Sequence, residues 1–92
     1  MVTQDLTSSW AITSGHLIAS KNHLPSPLPT GAVEILRQMD EFLSHNELGL
    51  ALNEAESLGE LCHSPPVFWA ELRLAAENMG LSEESSRFAA RL

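Results

Sequence analysis

The side chains best able to do chemistry in this 92-residue chain are one cysteine, four histidines and twelve carboxylates. Cys62 and His63 are neighbours, but His16, His23 and His45 are scattered, and no HxxxH or CxxC spacing occurs. Zinc sites need three or four protein ligands at close, defined spacing. That set is missing, so neither a metal nor another cofactor is expected. Cys62 is poorly placed as a nucleophile, because it falls near the end of a predicted helix, where the dipole disfavours a thiolate. No serine sits in a nucleophile elbow. Asp40-Glu41 and Glu83-Glu84 are adjacent acids, and adjacent helical positions point different ways. Neither pair therefore converges on one substrate atom. Gly49, Gly59 and Gly80 lack phosphate-loop and dinucleotide-binding spacing. Beyond the single turn His45-Asn46-Glu47 there is no polar cluster, and a small bundle leaves little room for a pocket. An enzyme is not expected.

What remains is the chemistry of binding. Glu47, Leu50, Glu54 and Leu61, with Ser57 between them, fall opposite the core face of one predicted helix. Val67 and Leu74 repeat the pattern on the next helix, beside Glu71. Two readings of these apolar residues stand side by side. Either both helices are central and bury two faces each, or an acidic–apolar stripe meets a partner. In the second case carboxylates steer a basic protein and leucines anchor it. The candidate partner-binding residues are Asp40, Glu47, Leu50, Glu54 and Leu61. For Glu47 alone a simpler role competes, that of an acid complementing the helix dipole.

These residues need elements to position them, and the chain divides near Thr30. Residues 1–29 are rich in Ser, Thr and Pro, and Leu24-Pro-Ser-Pro-Leu-Pro29 cannot be helical. No clean period links Leu6, Trp10, Ile12, Leu17 and Ile18, so an irregular or disordered N-terminal extension is expected. From 30 to 92 the pattern is helical. Ile35, Leu36, Met39, Phe42 and Leu43 share one face of a helix over 31–44, with Thr30 as its expected N-cap. A second helix runs over 47–62, capped by Asn46, with Leu48, Ala51, Leu52, Ala55, Leu58 and Cys62 inward. The short link between them implies an antiparallel hairpin. A third helix starts at Ser64-Pro65 and runs to Met79, with Phe68, Trp69, Leu72, Ala75 and Ala76 inward and Gly80 ending it. A fourth follows, capped by Ser82, with Glu83 and Glu84 complementing its first turn, Arg87 and Arg91 its last, and Phe88 and Leu92 packing back. The expected architecture is all-α, a small three-to-four-helix bundle behind an irregular Ser/Pro-rich segment. No internal repeat stands out.

Charge narrows the partners. Twelve acids against five bases give a formal net charge of −7. Affinity for nucleic acid and for anionic membranes rests on Lys and Arg, so neither is expected. A lone cysteine fits a reducing compartment, and no apolar stretch reaches the length of a signal core or a span. The expectation is a cytoplasmic protein. It binds a basic protein, or else it is a helical adaptor that meets a second copy of itself through the spare leucines.

A resemblance sharpens this. The stretch Asp40-Glu41-Phe42-Leu43-Ser44-His45-Asn46-Glu47-Leu48-Gly49-Leu50-Ala51-Leu52 resembles a pattern in small helical immunity proteins of bacterial polymorphic toxin systems, the Maf-type among them. There a helix ends, a polar turn with Asn or Gly and Glu follows, and an Ala-Leu pair opens the next helix. The matching positions are Asn46, Glu47, Gly49, Ala51 and Leu52. Pro65-Pro66-Val67-Phe68-Trp69 fits the same layout. The resemblance implies an immunity-type protein that neutralises a cognate toxin, often a basic nuclease.

Overall fold

A computed structural model describes residues 2–92, with side chains from Ser9 onward. It is all-helical over those residues: α1 (Val2–Lys21), α2 (Ala32–Ser44), α3 (Leu48–Cys62), α4 (Pro66–Asn78) and α5 (Ser82–Ala89). The radius of gyration is 12.7 Å, close to the roughly 12 Å of a compact chain this long.

α2 and α3 pair as the antiparallel hairpin that their short link implies, and α4 packs on α3 and carries α5. The core is apolar and continuous. Met39 of α2, Leu52, Ala55 and Leu58 of α3, Phe68, Leu72 and Ala76 of α4, and Phe88 of α5 are all buried. Gly59 explains how α4 closes on α3. A Cβ built there would stand 2.5 Å from the Phe68 ring and 2.7 Å from the Trp69 ring. Only a bare backbone admits these two rings, which meet edge to face at 5.3 Å. Trp69 then stacks at a tilt on Phe88, 5.9 Å away, and donates its indole N–H to the Ser64 carbonyl. Phe88 packs back as the sequence implies, whereas Leu92 stays exposed.

Three helices end in the same way. After α2, Asn46 adopts φ 57; after α3, His63 adopts φ 49; after α4, Gly80 adopts φ 74. In each turn two backbone N–H groups reach back. Glu47 donates to the Phe42 carbonyl, Ser64 to that of Gly59 and Leu81 to that of Ala76. This is the Schellman closure, with a left-handed residue turning the chain out of the helix. The three left-handed residues stand 17 positions apart in each case. The sequence shows no repeat, but its backbone does.

The helix starts differ from expectation. Gly31 at φ 91, not Thr30, precedes α2, and Glu47, not Asn46, precedes α3. Asn46 is consumed by the end of the preceding helix, so it cannot also begin the next one. Pro65, not Ser64, caps α4, and Pro66 takes the first helical position, where a missing N–H is harmless; Leu81, not Ser82, precedes α5.

The largest correction concerns residues 1–29. Expected to be irregular, they are helical over Val2–Lys21, and only the proline-rich stretch after Lys21 is non-helical. α1 runs antiparallel to α4 and rests on it and on α3. Its packing face explains the missing period. Among its described side chains, those buried besides Leu17 are Thr13 and Ser20, while Ile12 and Ile18 face outward. The helix is therefore tied down by polar groups. The Asn78 amide donates to the Ser9 carbonyl and to Thr13 Oγ1, both at 2.7 Å. His16 Nδ1 lies 2.8 Å from a Glu71 carboxylate oxygen, and Lys21 reaches Asp40 at 2.7 Å. No helix of the described residues is long and apolar enough to cross a membrane.

Candidate interaction surface

Ion pairing decides which acids are free. All five Lys and Arg residues are engaged within the chain. Lys21 pairs with Asp40, Arg37 with Glu34 and Glu41, and Arg73 with Glu77 at 3.7 Å. Arg87 grips the Glu56 carboxylate with two N–H groups, at 2.8 and 2.9 Å. Arg91 pairs with Glu60 and lays its guanidinium 4.6 Å above the Trp69 ring. Arg87 thus binds α5 to α3 as well as standing in the last turn of its own helix, whereas Arg91, expected in that turn, lies beyond the end of α5. The Arg37 guanidinium holds the Glu34 carboxyl below the ordinary carboxylate range through its hydrogen bond, and Arg87 is itself raised by Glu56. Among the described acids, Glu47, Glu54, Glu83 and Glu84 have no cationic partner.

Two of these four line one groove. Glu47 at the start of α3 and Glu84 in the first turn of α5 flank a surface cleft of about 410 Å³, with Leu50 and Asn53 from α3 and Leu81 from the α4–α5 turn. The Glu47 side chain makes no capping hydrogen bond, so its carboxylate is not spent on the helix backbone. Leu50 is 47% exposed, and Glu54 stands one turn further along the same face. A wall of unpaired carboxylates beside exposed leucine can bind a long cationic side chain by charge at its tip and by contact along its aliphatic stem.

The five residues singled out from sequence are not gathered together. Glu47, Leu50 and Glu54 form one cluster. Leu61, 39% exposed, lies three helical turns away at the far end of α3, where it rests near Gly31. Asp40 is drawn toward α1 by Lys21. Val67 and Leu74 are exposed as well, so the reading in which α3 and α4 bury two faces does not hold for these four apolar residues. Leu81, Asn53 and Glu84 complete the groove and were not singled out. Glu84 had an adequate role as a first-turn acid of α5, and only the fold of the α4–α5 turn brings it opposite Glu47.

Other chemistry is sparse. Burial pushes the Cys62 thiol above its ordinary pKa, which disfavours the reactive thiolate. No group of three or more His, Cys, Asp or Glu side chains able to hold one metal ion forms among the described residues. Little room for a pocket was expected, and a second cleft of about 350 Å³ lies between α1 and the start of α3. It is edged by Trp10, Asn46, Leu48 and Met79, while its polar groups Ser9, Thr13 and Asn78 bond one another.

Comparison of the chain with protein-family models, with curated proteins and with solved structures gives no match.

Proposed function

We propose that this chain is a binding protein that takes a basic protein partner on the groove between α3 and α5, and that the partner is a toxin domain that it neutralises. The observation that carries the binding reading is the pairing of every Lys and Arg with an acid of the chain. That leaves Glu47 and Glu54 without an ion pair, and Glu84 with only the nearby charge of Arg87, which Glu56 already holds, beside exposed Leu50 and the Leu81 turn. The immunity role rests on the resemblance around Asn46-Glu47, and a cytoplasmic location goes with it. An unsatisfied acidic surface draws a basic partner over about a Debye length, some 8–10 Å at physiological salt. Apolar contact then holds what charge has steered. A docked partner would lose the use of the Arg or Lys side chains inserted between Glu47 and Glu84.

The test is growth protection. The chain is co-expressed with a basic toxin domain encoded beside its gene, and complex formation is measured by calorimetry. The wild type is expected to restore growth and Leu50→Arg to lose binding at least tenfold, about 1.4 kcal/mol, while keeping its helical circular dichroism. A folded Leu50→Arg variant that binds as well as the wild type would remove the groove from the interface.

A second reading is favoured by the exposure of Leu50, Leu61, Val67 and Leu74, which suits a homo-oligomeric adaptor. Light scattering across a concentration series separates the two. A monomer supports the groove as a partner site, and a concentration-independent dimer assigns the leucines to a second copy.

A further inference from the structure

We propose that α1 is a displaceable strap, which opens as a unit from an α2–α5 core that stays folded without it.

Four observations carry this. First, the apolar core closes almost entirely within α2 to α5. Of its fully buried aliphatic and aromatic members, Leu17 is the one supplied by the described side chains of α1. Second, the seat of α1 is polar. The Asn78 amide holds Ser9 and Thr13, Glu71 holds His16, and Asp40 holds Lys21. Such hydrogen bonds exchange with water at little net cost, about 0.5–1.5 kcal/mol each, whereas buried aromatic anchors do not. Third, buried Ser20 donates its hydroxyl to the Leu17 carbonyl of its own helix, so that bond survives when the helix lifts away. Fourth, α1 reaches α2 only through the proline-rich stretch after Lys21, which has no helix of its own and is anchored on the core by Leu24 and Leu28, so that the hinge lies between Lys21 and Leu24.

Closing and opening have opposite electrostatic consequences. In the closed form Lys21 neutralises Asp40 and His16 covers Glu71. In the open form both carboxylates are released, and the uncompensated acidic surface grows. The strap is therefore an internal competitor for Asp40, and a cationic partner arriving there displaces Lys21. This does not depend on the groove between Glu47 and Glu84.

Native-state amide hydrogen exchange on the full chain tests it. Amides from Thr13 to Lys21 are expected to share one opening free energy, well below that of the amides at Ala55, Leu58, Leu72 and Ala75. Asn78→Ala and, separately, Leu17→Ala should each speed exchange in α1 by about tenfold and lower the opening free energy of the core by no more than the same amount, so that the gap between the two persists. Three results would overturn the proposal. One is an opening free energy for α1 equal to that of the core. Another is a graded increase along α1 that marks simple end fraying. The last is closure of the gap in either variant, with α1 and the core exchanging together.

Discussion

Gly59 is the residue on which the tightest contact in the molecule depends. A methyl group there would enter both the Phe68 and Trp69 rings, and those rings are buried and held by each other and by Phe88. Alanine is the better helix former by about 1 kcal/mol. Overpacking a closed core costs about 1–3 kcal/mol, and here neither ring has free space to move into. Gly59→Ala is therefore expected to destabilise the chain by about 1–2 kcal/mol, measured as a lower urea midpoint with an unchanged slope. Small residues along this helix face implied a close approach, but which residue meets which ring emerges only in three dimensions. The candidate site divides in the same way. Glu47, Leu50 and Glu54 follow one another at three and four positions along a single helix, so their shared face could be read from spacing. Glu84 and Leu81 lie far along the chain, and nothing local marks them. Asp40 looked free because a lysine 19 positions earlier was assigned to an irregular segment.

The ends of α2, α3 and α4 show how one backbone solution is met by three different side chains. Glycine takes the left-handed conformation without cost, asparagine takes it with little, and histidine is the least suited. His63 at φ 49 is exposed and makes no side-chain hydrogen bond. His63→Gly should thus raise stability by about 1 kcal/mol, visible as a higher thermal midpoint. Unchanged or lowered stability would mean that the imidazole earns its place by some contact in a complex. The ends were partly legible: Gly80 was, because glycine after a periodic run marks a helix C-terminus. Asn46 was mistaken for a start, since asparagine serves at both ends of helices. α1 was not legible, because the buried face of its described part is built from Thr13, Leu17 and Ser20, and two of these three are polar. The amphipathic helix α2, with Met39 inward and Arg37 and Glu41 outward, was legible almost to the residue.

At the scale of the whole molecule, elements consecutive in the chain from α2 onward pack on one another, α5 also reaches back to α3 through Arg87, and α1 packs mainly on α4 across longer separations than these. The three left-handed turns set this arrangement, since each returns the chain beside the helix it has just left. That geometry has a consequence in time. α2 to α5 can assemble by successive closures of short loops, each joining neighbours. α1 must instead close loops of 55 residues to bring His16 to Glu71 and 69 to bring Ser9 to Asn78. Its docking is thus expected after the rate-limiting step. Asn78→Ala should leave the folding rate in stopped-flow experiments nearly unchanged and appear almost wholly as faster unfolding. A slowed folding limb would instead place α1 in the nucleus. With α1 late, the order of assembly follows the order of sequence separation: the first helix of the chain is the last to find its place.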